Sequence, residues 1–322
     1  MNYRRLGNCG LKVSRLGLGA MGFGDKGWRG WVLDESESRT IVRKALDQGI
    51  NFFDTCDFYS SGVSEKILAK TLLVDAPRQE IVLATKLGMN MGPGPNDRGF
   101  SRKHVFDAID QSLLRLGTDY IDLYQTHIWD PSTNIEEMMG AFDDLIKSGK
   151  VLYIGTTDIP AWQFAKAQHI ATLRGWHRFV SVQNHYNLIF REHERELLPL
   201  CRDQGIGLIP YSPMGRGFLA NNRHKAHWGD TIRAETDDFA QNVYFRDADF
   251  EVASRTAEVA KNMGVKPTQV ALAWVLGQPN ITAPIFGATK PEHIDEAIAA
   301  IDIALEAQDV AYLEAAYAPR PL

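Results

Sequence analysis

The chain has 322 residues, 44% of them hydrophobic and 23% charged, with a formal net charge of −5. This balance fills a large core and offers no basic surface for nucleic acid or phospholipid. Cys9, Cys56 and Cys201 are far apart with no CxxC, and the nine histidines form no HExxH or Cys/His cluster, so neither a disulfide framework nor a dedicated metal site is expected.

Residues 1–13 read as a β-hairpin, with turn signals at Gly7-Asn8 and Gly10, placed to plug the bottom of a barrel. The first seven residues lack the apolar stretch of a signal peptide. The longest apolar run near the C-terminus, 270–276, is far below the ~20 residues that span a bilayer. A cytoplasmic protein without a membrane partner is expected.

Beyond the hairpin, β-rich runs fall at 16–19, 50–54, 81–86, 121–126, 153–157, 179–183, 207–211 and 282–286. Helical patterns separate them at 38–48, 64–73, 101–116, 135–147, 161–173 and 194–204. Ser101 is a predicted N-cap, and Gly49, Gly117, Gly149 and Gly205 follow helices as C′ glycines do. Eight strands alternating with helices predict an α/β fold of the (β/α)8 class, a TIM barrel, rather than an open sheet. Asp54, Lys86, Thr157, Gln183 and Tyr211 end strands, and His127 lies just past one, at intervals of 26 to 41 residues. The interval after Tyr211 is longer. It holds a polar and aromatic loop at 212–249, following strand 7, and then helices near 250–263 and 267–276. A long loop on the catalytic face of a barrel is a usual lid.

Gly17-Leu18-Gly19-Ala20-Met21-Gly22 matches the GxGxxG dinucleotide fingerprint, but residues 23–30 cannot open a helix. No helix N-terminus is then aimed at a pyrophosphate. A tight loop that brings Met21 to a ligand is the expectation instead.

Asp54, Tyr59, Lys86 and His127 stand at or just after the ends of three successive strands, so a parallel barrel gathers them on one face. Each alone has an ordinary structural explanation; together they suit proton transfer to a carbonyl oxygen. An unperturbed tyrosine, pKa ~10, is a poor proton shuttle, and lowering it by two to three units takes roughly 3–4 kcal/mol. A cation ~4 Å away at an effective dielectric of ~20 supplies about 4 kcal/mol. Lys86 is placed for that task, Asp54 to keep it charged, and His127 to hydrogen-bond the same carbonyl oxygen.

The segment 51–65, with Lys86 and His127 at matching separations, resembles the aldo-keto reductases, most of all the bacterial and fungal aryl-alcohol-dehydrogenase-like branch. The stretches 153–158, 181–184, 210–214 and 284–293 extend the resemblance over nearly the whole chain. It implies one barrel domain over 1–322 and an NADPH-linked reductase of aldehydes or ketones, alcohols in reverse, with NADH a weaker cofactor. By it, Tyr59 is the proton donor, Lys86 and Asp54 tune it, and His127 orients the carbonyl. Thr157, Asp158 and Gln183 hold the nicotinamide carboxamide and Tyr211 stacks on the ring. Ser212, Pro213, Met214, Arg216 and Gly217 wrap the pyrophosphate. Gly287, Ala288, Thr289, Lys290, His293 and Glu296 hold the adenosine end. Trp28, Trp31, Phe58 and Trp129, with the 212–249 loop, are expected to shape the substrate pocket. The chain departs from the family where Thr157-Asp158 replaces Ser-Asn, His293 replaces Arg or Gln, Ala297 replaces Asn and Ser60 replaces Gly. Lys290 and His293 are then the phosphate-seeking groups near the adenosine, with Arg216 a third.

Two other functions fit parts of this pattern. A Schiff-base aldolase would use Lys86, but needs a lowered lysine pKa that adjacent Asp54 opposes. A non-enzymatic nicotinamide-binding sensor, like the potassium-channel β-subunits, has no need of all four catalytic groups.

Overall fold

The computed structural model describes residues 1–223 and 227–320. The antiparallel hairpin β1 (Tyr3–Arg5) and β2 (Lys12–Ser14) comes first. Eight parallel strands follow: β3 (Gly17–Gly19), β4 (Phe52–Asp54), β5 (Val82–Leu87), β6 (Ile121–Thr126), β7 (Val151–Thr157), β8 (Ser181–Gln183), β9 (Gly207–Leu208) and β10 (Ile285–Phe286). They pair in the order β10-β3-β4-β5-β6-β7-β8-β9. Bridges Leu208↔Ile281 and Tyr211↔Ile285 join the two ends, where the Thr282 and Ile285 N–H groups donate to the carbonyls of Leu208 and Pro210, each at 2.8 Å. The sheet thereby curls into the expected (β/α)8 barrel.

Strand alternation sorts the core into two parts. Phe52, Val82, Ala84, Leu123, Ile209, Ala283 and Ile285 fill the lumen together with Leu6 and Val13 of the hairpin. The larger cluster, which includes Phe53, Leu83, Tyr124, Ile154 and Val182, lies between sheet and helices. The hairpin plugs the end of the barrel where the strands begin: Asn8 N–H donates to the Gly205 carbonyl at 2.8 Å. Arg15 fastens it, donating to the carbonyls of Leu276, Ile281 and Thr282 at 2.5, 2.8 and 2.6 Å.

All eight barrel strands fall where the sequence places them, but several are shorter. β9 stops at Leu208 and β10 starts at Ile285 because Pro210 and Pro284 have no N–H to donate to a ladder. The first helix begins at Glu35 rather than Ser38, since Asp34 caps it and Glu37 completes a capping box. The helix expected from 194 begins at Leu197. Ser101 caps its helix by accepting the N–H of His104, and Gly117 and Gly205 end theirs at φ 67° and 68°, a conformation open mainly to glycine. The 212–249 loop carries short helices at Ile232–Thr236 and Asp238–Val243. Two further helices, Pro291–Ala299 and Ala307–Glu314, follow β10. The GxGxxG match forms only a 3-10 turn, Ala20–Gly22. A Cβ on Gly17 would stand 2.5 Å from Ile285 Cδ1, so this glycine makes room for packing inside the barrel.

Candidate active site

β4 and β5 deliver Asp54 and Lys86 to the C-terminal mouth of the barrel, where inward-facing side chains meet above the apolar lumen. Lys86 is fully buried, with its Nζ 2.5 Å from Asp54 Oδ2, 2.9 Å from the Thr55 carbonyl and 3.5 Å from the Tyr59 hydroxyl. Asp54 Oδ1 also accepts from Gln125 Nε2 at 3.1 Å and Gln183 Nε2 at 2.9 Å. The carboxylate is thus held on both oxygens, and Gln125 is a member of the site that sequence reasoning missed. Its only signal was its inward register on β6, opposite Lys86.

Tyr59 and His127 lie half-exposed, with ring centroids 5.6 Å apart and ring planes at 87°. His127 follows β6, and its Nδ1 is 2.9 Å from Cys56 Sγ. The surrounding protein, and then Lys86, push the imidazole down to about 3, so it is neutral at ordinary pH. Desolvation also pushes Tyr59 up to about 12, although Lys86 opposes the shift. This corrects the expected net lowering of the phenol. Asp54 takes much of the ammonium's field, and the remainder does not outweigh desolvation. Tyr59 consequently stays a protonated phenol, as a proton donor must. Lys86 itself is raised by Asp54 against the effect of its burial, the reverse of what a Schiff-base lysine requires.

Ser60, where the family often has glycine, adopts φ 53° and yet is well placed. Its hydroxyl accepts the Asp25 N–H at 2.9 Å and ties the 23–33 loop to the turn that carries Tyr59. The same loop brings Trp28 edge-on to Phe58, with ring centroids 6.3 Å apart. Trp31 lies beneath the guanidiniums of Arg29 and Arg233, at 5.5 and 4.5 Å. Trp129 packs on the outer core, partly buried, with a buried indole N–H that has no partner among the described residues. Met21 sits half-exposed in its turn beside β3.

Of the residues expected to meet a cofactor, Thr157 shares the inward face of β7 with Gly155, whose Cβ position abuts Ser181 and Gln125. Thr157 Oγ1 is buried without a partner among the described residues. The adjacent Gln183 donates its Nε2 to Asp54 Oδ1 at 2.9 Å. Asp158 is turned aside at φ 43°. Its Oδ1 accepts the His185 N–H at 3.0 Å and its Oδ2 accepts the Tyr211 hydroxyl at 2.7 Å. Each of its oxygens thus already accepts one hydrogen bond from the protein.

Tyr211 stacks on His185, with centroids 5.1 Å apart at 12°, and Phe190 backs His185 at 4.1 Å. His185 Nε2 lies 2.6 Å from the Tyr244 hydroxyl, and Asn187 donates to the Ser212 carbonyl at 2.9 Å. This buttress of His185, Asn187 and Tyr244 was not legible in the sequence, because Tyr244 comes from far along the loop. Pro213 is buried and Met214 packs on the core. Ser212, Gly215, Arg216 and Gly217 all have positive φ, a tight turn at the barrel mouth.

Arg216, expected as a third phosphate cation, instead donates from Nη1 to both oxygens of Asp237, at 2.8 Å to each. On the other rim, Gly287 and Thr289 are exposed and Ala288 is buried. Lys290 is the exposed N-cap residue of Pro291–Ala299. His293 Nδ1 accepts the Thr289 N–H at 3.3 Å, and burial lowers its pKa. Glu296 pairs with Lys266.

Comparison with known proteins agrees with this geometry. The model of the Aldo/keto reductase family matches residues 15–318. A versiconal hemiacetal acetate reductase of Aspergillus parasiticus is 40% identical over 345 residues, covering 100% of this chain and 98% of the relative. A putative aryl-alcohol dehydrogenase of Schizosaccharomyces pombe is 40% identical over 344 residues, covering 99% of this chain and 97% of the relative. No helix among the described residues is long and apolar enough to cross a membrane.

Proposed function

The chain belongs to the aldo/keto reductase family, and on that premise we propose that it reduces an aldehyde or ketone with NADPH, reversibly, with Tyr59 as proton donor. Membership and the names of the relatives make it an oxidoreductase of carbonyl or alcohol groups. The finer assignment rests on one observation, the line Asp54–Lys86–Tyr59 beside a neutral His127 at the barrel mouth.

The residues present fit a nicotinamide. Thr157, whose buried Oγ1 has no partner among the described residues, and Gln183 lie on paired inward positions suited to a carboxamide, while Asp158 serves to steady Tyr211. Bound there, the nicotinamide supplies hydride to the carbonyl carbon. Tyr59 gives its hydroxyl proton to the carbonyl oxygen, and the phenolate left behind lies 3.5 Å from Lys86. At an effective dielectric of ~20, a cation ~4 Å away favours that phenolate by about 4 kcal/mol before the opposing charge of Asp54 is counted. Asp54 keeps Lys86 protonated and in place. His127 orients the carbonyl oxygen, and in the reverse direction the Tyr59 phenolate accepts the alcohol proton.

Tyr211 supports the ring, and the tight turn 212–217 wraps the pyrophosphate. The 287–296 segment lines the adenosine side, with Lys290 as the cation for a 2′-phosphate, and Met21 is a further cofactor contact. A single-domain cytoplasmic enzyme accords with this chemistry. The test is a panel of aldehydes, ketones and alcohols followed at the nicotinamide absorbance, with NADPH and NADH side by side. Turnover with NADPH favoured is expected. Tight cofactor binding with negligible turnover across the panel would instead mark a nicotinamide-binding sensor.

A further inference from the structure

The 23–33 loop forms a strap over the catalytic tyrosine. Its ends are fixed by Gly24 N–H to the Leu33 carbonyl at 2.8 Å and Leu33 N–H to the Gly22 carbonyl at 2.7 Å. Asp25, near its start, is latched to Ser60, the residue after Tyr59, and Trp28 in its middle rests on Phe58, the residue before it. Arg29 is therefore carried on the same strap: its guanidinium lies 4.5 Å from the ring of Trp28, which rests on the residue before Tyr59.

The charge around Arg29 is unbalanced. Arg216 and Arg233 both pair with Asp237, so one buried carboxylate serves two guanidiniums. Arg29 is half-buried, yet among the described residues its side chain makes no ion pair and no hydrogen bond. Asp237 and Asp238 act on it only at longer range, and Arg216 repels it. A guanidinium stacked on an indole still presents its in-plane N–H groups, the fork that fits a carboxylate. In a chain of net charge −5, this leaves local positive charge at the site where a substrate would enter.

We infer that Arg29 binds an anionic group on the substrate, which makes the substrate class carbonyl compounds bearing a carboxylate. Trp28 and Trp31 flank the guanidinium with apolar faces, so the fitting molecule joins an apolar body to one carboxylate. This inference rests on the carbonyl-reductase function proposed above. The other anion that could reach this strap is the cofactor's pyrophosphate, and the experiment separates the two.

The experiment compares kcat/KM for para-carboxybenzaldehyde and its methyl ester with NADPH, in wild type, Arg29→Gln and Arg29→Lys. Wild type should favour the acid about tenfold, the size of one charge-assisted hydrogen bond partly screened by solvent. Arg29→Gln should bring the ratio close to one, and Arg29→Lys should restore part of it. A wild-type ratio of one or less, or a ratio unchanged in Arg29→Gln, overturns the inference. So does a matching loss of NADPH affinity in Arg29→Gln, which would assign the residue to the pyrophosphate. If no carbonyl compound is turned over, the proposed function fails, and Arg29 is then judged by tryptophan-fluorescence titration with para-carboxybenzaldehyde. Weaker binding to Arg29→Gln than to wild type supports the inference, and equal binding overturns it.

Discussion

Cys56 Sγ lies 2.9 Å from His127 Nδ1, which makes a buried thiol the partner of the imidazole beside the proton donor. His127 is neutral, so one ring nitrogen donates and the other accepts. A thiol proton given to Nδ1 leaves the hydrogen on Nε2, the arrangement that can donate to a carbonyl oxygen. Asp57 Oδ1, 3.2 Å from the same sulfur, competes for that proton.

The first prediction follows from this contact. Cys56→Ser keeps a donor at Nδ1 and should retain kcat within a few-fold. Cys56→Ala removes it and should lower kcat by roughly tenfold, the scale of one hydrogen bond, with NADPH affinity unchanged. Equal kcat in the two variants would remove the thiol from the account. Burial also raises the Cys56 thiol, so wild-type Cys56 should resist alkylation at neutral pH, as read by mass spectrometry.

A second prediction concerns pH. With Tyr59 pushed up to about 12 and His127 down to about 3, carbonyl reduction should be nearly flat between about pH 6 and 9. Alcohol oxidation needs the phenolate and should rise with pH throughout that range. Lys86→Met should cut both directions by roughly 10²–10⁴-fold, because the phenolate loses its cation. Reduction that falls with a midpoint well below pH 9 would show that Tyr59 titrates lower than the structure implies.

Much of this site was legible in the sequence. Asp54, Tyr59, Lys86 and His127 were found because each is a chemically distinctive residue at a strand end, and barrel topology alone brings strand ends together. Gln125, the contact of Cys56 with His127, and His185 were missed for the complementary reason. Their side chains are common inside proteins, and their importance lies in contacts across 71, 71 and 59 residues that no local pattern encodes. Asp158 and Arg216 were assigned to the cofactor by position, yet Tyr211 and Asp237 engage them first. The first helix was begun too late because the capping box at Asp34 and Glu37 was overlooked.

Cofactor choice gives a third prediction. Lys290→Ala should lower the NADPH/NADH affinity ratio by about tenfold, one charged contact at an exposed site. His293→Ala should lower it less at neutral pH, since His293 accepts the Thr289 N–H and burial lowers its pKa. Any sharpening of the ratio through His293 should appear only below about pH 6.5, the ordinary histidine value. Equal affinity for NADPH and NADH in wild type would contradict the phosphate assignment.

Stability carries a fourth. Asp57 is buried beside Glu65, and burial pushes its carboxyl up to about 7 from 3.8. Between these values the native state binds more protons than the unfolded chain, so this group makes stability fall as pH rises through the window. Asp57→Asn removes the charge that burial opposes. It should raise Tm at pH 8 relative to wild type by about 2–4 °C, the shift that ~1 kcal/mol produces in a large domain. The gain should shrink as pH falls and vanish below about pH 3, where wild-type Asp57 is protonated in both states. A gain of the same size at both pH values would show that the charge is not its source.

The central claim is that the Tyr59 hydroxyl, 3.5 Å from Lys86, delivers the proton to the carbonyl. The most direct measurement is single-turnover reduction by the preformed NADPH complex of Tyr59→Phe, beside its NADPH dissociation constant. Loss of one hydroxyl should slow reduction by 10²–10⁴-fold, the usual range for a general acid, and leave the dissociation constant within about twofold of wild type. A variant that keeps more than about a tenth of the wild-type rate with cofactor bound would show that the proton comes from elsewhere.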